Sequence, residues 1–297
     1  MNFRRVHVIV NPASGKDQPI LHVLNSVFHP ANVDWDIYVT KAGGDARRLA
    51  AEAVQAGADA VAVYGGDGTV AEVAAGLLGS EMPLAILPGG TTNATSRVMG
   101  VPIDLAEAAQ LLVDPQAQLR VMDMIQVAKS HYFGVIAMGI PGEVAVMADR
   151  ESKDRLGNLA YALSAIKATV RAPNSQYTIT LDGREVHSHG VICVILNQGP
   201  GLMHLKTPVD GSDGLLDVMI FRDEGVRTVT KAATNVLLRN ENIVPVEHWQ
   251  VREVQVVSHP AQAVQADGEV LPAGSVTARV LPSAVRFIVP GAKPQAA

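Results

Sequence analysis

Four short apolar runs near the start of the sequence end in glycine or a small polar residue, and helical stretches separate them. No other feature restricts the fold as much as that alternation. "RVHVIVN" (5–11) and "WDIYVT" (Trp35 to Thr40) read as strands. "AVAVYGG" and "PLAILPGG" are uniformly apolar, as parallel strands covered on both faces must be. Between the runs, "DARRLAAEAVQAG", "TVAEVAAGLLG" and "DLAEAAQLLVD" carry helical periodicity. Alternation at this spacing predicts an α/β domain with a parallel sheet over residues 1–125.

Beyond "LRVMDMIQVAK" the rhythm changes. "HYFGVIAMGI", "QYTITLDGREVHSHG", "VICVILNQG", "GLLDVMIF", "WQVREVQVVSH" and "SVTARVLPSAVRFIV" are β-rich, and "LDGRE" is a hairpin turn. Helical stretches interrupt them near 151–171 and 226–240. The reading is a mostly antiparallel, β-rich second domain over 126–284. A length of 297 residues accommodates two domains.

Apolar residues make up 48% and charged residues 18%, which supports sizeable cores and excludes disorder. The net charge of −5 provides no basic field for nucleic acid, so any membrane contact needs a local patch. The single cysteine, Cys193, lies in the strand-like "VICVILN" and reads as a core thiol in a reducing compartment. The start "MNFRRVHVIVN" reaches a strand within about five residues, and no apolar run approaches the roughly 20 residues of a membrane span. The expectation is a cytoplasmic protein without a leader.

In an open parallel sheet, ligands bind beyond the carboxyl ends of the strands. Those ends carry "NPASGK" with Asn11, Ser14 and Lys16; Thr40; "GGDGT" with Gly65, Gly66, Asp67, Gly68 and Thr69; and "PGGTTN" with Gly90, Thr91, Thr92 and Asn93. Each offers glycine, small hydroxyls or backbone amides, and two lead into helix N-termini, where amides and the dipole favour an anion. One such loop could be an ordinary turn; four along one sheet edge describe a phosphate cradle, to which Lys16 adds a point charge. Asp67 is repulsive in that setting unless it meets Mg²⁺, a ribose hydroxyl or a proton to accept. Neither GxxxxGK[ST] nor GxGxxG occurs at these loops, which excludes the P-loop and the dinucleotide fingerprint.

The strand-end "GGDGT" resembles the superfamily of diacylglycerol, sphingosine and NAD kinases and phosphofructokinases. Its extension "GGDGTVAEVAAGL", with "NPASGK" and "LPGGTTN", is similar to the diacylglycerol kinase catalytic domain. "DGLLDV" (Asp213 to Val218) and "QADGEVL" (Gln265 to Leu271) extend the resemblance to bacterial lipid kinases through the second domain. The resemblance implies that Thr40, Gly66, Asp67, Gly68, Thr69 and Thr92 line an ATP site, with Glu72 supporting the loop. It implies that Glu269 is the general base on the acceptor hydroxyl. It further implies that Asp213, with the carbonyls of Asp210 and Leu215, holds a structural Mg²⁺, and that 285–297 returns to the first domain. The implied activity is ATP- and Mg²⁺-dependent phosphorylation of a lipid hydroxyl, with diacylglycerol as first choice, and the implied setting is the inner membrane face, with a homodimer admitted. One departure stands out. The family's diacylglycerol kinases usually carry Asp after the Asn of this segment, and here "GTTNATSR" has Ala94, as sphingosine kinases do.

Without the resemblance, "ADGEVLPAG" would read as a β-turn with exposed Asp267 and Glu269, and "DGSDG" (Asp210 to Gly214) as a turn whose aspartates suit a hard cation. The stretch Lys153 to Arg171 carries an apolar stripe flanked by basic residues. It reads either as a helix packed on the β domain or as an interfacial helix on lipid, and the packed reading takes precedence. Two rival functions remain: an NAD-kinase-type enzyme on a soluble acceptor, and a nucleotide- and lipid-binding sensor without turnover.

Overall fold

The structure, a computed structural model, describes residues 3–14, 18–139, 174–198, 209–222 and 246–291. Lys16, the stretch from Lys153 to Arg171 and the helical stretch at 226–240 lie outside the described residues. The chain divides into two compact units, Met1–Asp123 with Ser283–Ala297, and Met124–Pro282.

The first unit alternates as β1 (Arg5–Val10), α1 (Ile20–Phe28), β2 (Asp34–Val39), α2 (Asp45–Gln55), β3 (Ala60–Gly65), α3 (Asp67–Leu77), β4 (Pro83–Pro88), α4 (Ala94–Met99) and α5 (Leu105–Gln110). The next strands are β5 (Gln118–Val127), β6 (Ser130–Tyr132), β7 (Val135–Met138), β8 (Ser175–Leu181), β9 (Arg184–Gly190), β10 (Ile192–Leu196), β11 (Leu216–Phe221), β12 (Val246–Val251), β13 (Glu253–His259), β14 (Val264–Ala266), β15 (Glu269–Leu271) and β16 (Ser275–Val289).

In the first unit the strands run β2-β1-β3-β4, all parallel. The last part of β16 adds a further parallel strand beside β4, with Arg286 opposite Pro83 and Phe287 opposite Leu84. Every residue of β3 is buried, which explains its uninterrupted apolar sequence. Helix α3 buries Val70, Val73, Ala74 and Leu77 at i, i+3, i+4 and i+7, the stripe a helix needs to cover a sheet. Gly76 on the same helix allows α2 to approach, since a Cβ there would lie 2.2 Å from the carbonyl oxygen of Arg47. Where the chain returns, Ser283 takes φ 51° and its amide donates to the buried carboxylate of Asp123 at 2.7 Å.

The second unit is a sandwich of antiparallel sheets. One runs β13-β8-β9 with the first part of β16 beside β13; the other runs β12-β11-β10-β7-β14-β15. Their facing residues form one core, with Tyr177, Ile179, Val254 and Val256 from one sheet and Ile136, Met138, Cys193, Ile195 and Val218 from the other. Complete burial pushes the Cys193 thiol up to about 12, so it is an inert core group. The hairpin between β8 and β9 turns on Asp182 and Gly183, both at positive φ as a type I′ turn demands. No described helix is long and apolar enough to cross a membrane.

Candidate active site

At the carboxyl ends of β1, β3 and β4 the chain folds into a recess of about 300 Å³. Asn11, Ala13 and Ser14 line it after β1, Gly66, Gly68 and Thr69 after β3, and Gly90 and Thr91 after β4. The Asn11 side chain bridges two of these segments. Its Nδ2 donates to Thr69 Oγ1 at 2.9 Å, and its Oδ1 accepts the Ala13 amide at 3.0 Å.

The "GGDGT" segment departs from its sequence reading in one respect. Asp67, Gly68 and Thr69 belong to the first turn of α3, whereas the pattern placed the helix start at Thr69. Gly66 is the N-cap, in extended conformation, and has no side chain with which to cap the helix. Strand passes to helix with only this residue between them, and an acidic first-turn residue is favoured there by the dipole.

The glycines have separate causes. A Cβ on Gly90 would lie 2.6 Å from Gly66 Cα, so these two glycines let β3 and β4 termini approach each other. A Cβ on Gly65 would strike the Thr69 side chain at 2.6 Å. Gly68 differs: nothing lies within 4 Å of its Cβ position, it has no positive φ, and it is exposed beside the recess. The packing of the protein itself gives no reason for glycine there.

Both carboxylate oxygens of Asp67 are engaged. Oδ2 accepts the Ala94 amide at 3.0 Å and Oδ1 the Thr95 amide at 2.8 Å, so Asp67 caps α4 from another element. Asn93, which occupies the α4 N-cap at φ 48°, turns its side chain back to Gly90 instead, donating to its carbonyl at 2.8 Å and accepting its amide at 3.0 Å. The remaining predicted residues stand outside the recess lining. Thr40 is buried, with its hydroxyl towards the Val10 carbonyl at 3.4 Å. Glu72 accepts the Gly44 amide at 2.9 Å, bracing the N-terminus of α2, and Thr92 offers its carbonyl to Arg97 Nε at 3.1 Å.

In the second unit, Glu269 opens the edge strand β15 and is exposed. Asp267 and Gly268 form its hairpin turn at φ 44° and 91°. The Asp267 carboxylate accepts three consecutive amides, from Phe133 at 2.9 Å, Gly134 at 3.0 Å and Val135 at 2.7 Å. The Tyr132 hydroxyl donates to Glu269 Oε2 at 2.9 Å. Nothing in the sequence marked Tyr132, and no local signal could have: its partner lies 137 residues away.

The "DGSDG" segment forms two side-chain turns ahead of β11. Asp210 Oδ1 accepts the Ser212 hydroxyl at 2.6 Å and its amide at 3.1 Å, and Asp213 Oδ1 accepts the Leu215 amide at 2.9 Å. Both aspartates are exposed. Among the described residues no three His, Cys, Asp or Glu side chains converge as a metal cluster, so any ion here would rely on backbone carbonyls and water as well. Two residues beyond, the buried Asp217 meets His248 Nε2 at 2.6 Å.

The parallel α/β unit and the β-sandwich match the two domains of a lipid kinase, a phosphotransferase. The diacylglycerol kinase catalytic domain matches residues 5–127, and the YegS C-terminal NAD kinase beta sandwich-like domain matches residues 134–289. The chain belongs to the bacterial diacylglycerol kinase family of lipid kinases. It is 28% identical to a diacylglycerol kinase of Bacillus subtilis over 90% of each protein. A diacylglycerol kinase structure from Bacillus anthracis superposes with a TM-score of 0.76 at 28% identity, covering 99% of both chains. A Synechocystis protein is also 28% identical over 76% of this chain, which spans only 54% of that protein's length.

Proposed function

We propose that this lipid kinase transfers the γ-phosphoryl group of ATP to a hydroxyl of diacylglycerol or a related lipid alcohol, with Mg²⁺. The observation that carries the nucleotide half is the N-terminus of α3. Gly66 leaves it without a side-chain cap, and Gly68 leaves the surface beside the recess bare. An anionic polyphosphate suits that position through amide donors and dipole together. Residues 1–125 serve as the nucleotide domain and 126–284 as the acceptor domain, with the segment 285–297 returning to the first. Asn11, Ser14, Gly66, Gly68, Thr69, Gly90 and Thr91 receive the phosphates, and Lys16 adds charge. Asp67 holds α4 against this loop.

Phosphoryl transfer needs positioning, charge neutralisation and one group to take the alcohol's proton. Glu269 is that group. The acceptor O–H proton passes to its carboxylate as the new O–P bond forms and the bond from the γ-phosphorus to ADP breaks. The all-oxygen donors of Asp210, Asp213 and Leu215 fit a hard divalent cation, with Asp213 as the charged ligand and the other two giving carbonyls. Mg²⁺ bound there would order the turn that starts β11. Ala94, where the family's diacylglycerol kinases have an acid, widens the acceptor class to other lipid alcohols.

The test incubates the protein with γ-labelled ATP, Mg²⁺ and a mixed bacterial lipid extract, beside a Glu269→Gln control. Label entering the organic phase, and lost in the control, supports the reading, and the product names the acceptor. Label that stays aqueous, with NAD phosphorylated in a parallel tube, would replace it with a soluble-acceptor kinase. Bound ATP without any transfer would replace it with a sensor.

A further inference from the structure

We propose that Tyr132 is a positioning residue for the transfer step: its hydroxyl fixes Glu269 Oε2 and leaves Oε1 as the oxygen that takes the proton. This rests on the reading of Glu269 as the base. Glu269 is exposed on a three-residue edge strand, and three side-chain torsions would let its carboxylate sweep a wide arc. Tyr132 is its opposite, 4% exposed, with a ring in the sandwich core and a backbone held on β6 opposite Ile125. The hydrogen bond between them, at 2.9 Å, ties the mobile carboxylate to the immobile ring.

A second tie makes the pair one unit. The three amides that accompany Asp267 belong to Phe133, Gly134 and Val135, the residues directly after Tyr132. The hairpin carrying Glu269 is therefore anchored to the same stretch that carries Tyr132. Neither end of the Tyr132–Glu269 contact can shift without disturbing the other. Burial, the largest cause, pushes the Tyr132 hydroxyl up to about 12, with the nearby Glu269 carboxylate adding to the rise. The hydroxyl thus remains a donor at neutral pH.

The experiment compares the full-length wild type with Tyr132→Phe, Glu269→Gln and the double variant in the labelled-ATP lipid assay. Phe keeps the ring in the core and removes only the hydroxyl. The expected result for Tyr132→Phe is a fall in kcat of about 10- to 100-fold, the scale of a misaligned reacting group. KM for nucleotide and lipid should stay within about twofold, and the unfolding midpoint should be unchanged. The double variant should be no slower than Glu269→Gln alone, because Tyr132 acts through Glu269. Wild-type kcat in Tyr132→Phe with Glu269→Gln inactive overturns this inference and leaves the base intact. A further loss in the double variant also overturns it. Wild-type kcat in Glu269→Gln overturns the base and this inference with it.

Discussion

Asp67 accepts the amide of Thr95 at 2.8 Å, so the carboxylate of the "GGDGT" segment caps a helix that starts 27 residues later. It ties the segment after β4 to the start of α3, while the Asn93–Gly90 pair closes the β4 loop on itself. Asp67→Ala removes two acceptors from helix N-terminal amides and should cost about 1–2 kcal/mol, the scale of a lost cap. Amide exchange should rise at Ala94 and Thr95 and stay unchanged in the sandwich. Protection retained at both amides would show that α4 does not depend on this carboxylate.

Gly68 separates ligand binding from folding. Its Cβ position is open and its backbone is compatible with any residue, so Gly68→Ala should stabilise the fold by roughly 0.5–1 kcal/mol through helix propensity. The same methyl would stand where the nucleotide approaches, and ATP affinity should fall at least about tenfold, or roughly 1.4 kcal/mol. Stability and affinity moving in opposite directions, read by urea unfolding and titration calorimetry, is the signature. Gly90→Ala should lose both, because its methyl would meet Gly66 Cα.

His7 makes the first unit sensitive to mild acid. Burial holds its imidazole below 6.5, with Arg5 adding to the depression and Asp36 opposing it. A histidine whose folded value is depressed takes up its proton more readily in the unfolded chain. Stability is therefore fully present above about 6.5 and declines as pH falls below it. Urea midpoints at a series of pH values should show that decline in the wild type, and His7→Gln should flatten it.

Magnesium should stabilise the second unit through Asp213. At roughly a hundred times its Kd, Mg²⁺ adds about 2.7 kcal/mol to a fold that binds it only when native. The thermal midpoint in excess Mg²⁺ should exceed that in chelator for the wild type, and Asp213→Ala should erase the difference. An equal shift in the variant would move the ion elsewhere.

Much of this fold is legible in local pattern because its strands and helices bury regular stripes. The parallel strands announce themselves as "AVAVYG" and "PLAILP", whose residues are buried almost throughout. The edge strand β2 is legible differently, as a short aromatic and β-branched run of which four of six residues are exposed and none is buried. The start of α3 was harder to read. Gly66, Asp67 and Gly68 look like loop residues, yet one is a cap and two are the first turn. Propensity describes helix interiors and misjudges their first residues, where glycine caps and acids meet the dipole.

The site is less legible because its contacts are tertiary. "GGDGT" reads as an expected anion site, but nothing in it tells that Asp67 accepts amides of α4. "DGE" presents Glu269, but its link to Tyr132 depends on how β6 and β15 are placed in three dimensions. The run "SVTARVLPSAVRFIV" reads as β-rich, and the resemblance already sends 285–297 back to the first domain; the structure adds that one strand, β16, is shared between the units, dividing at Ser283.

That divided strand carries a consequence for biosynthesis. The sheet of the first unit takes its strand beside β4 from residues 283–289, so β4 keeps an open edge while the whole sandwich is being translated. On the ribosome, the unit that begins first is completed last. Until Arg286 and Phe287 emerge, Leu84 and its neighbours offer an unpaired parallel edge to any other nascent strand. Stop codons or frameshifts as late as residue 282 would release chains with a finished sandwich and an unclosed sheet, species marked for chaperones and proteases rather than for partial activity.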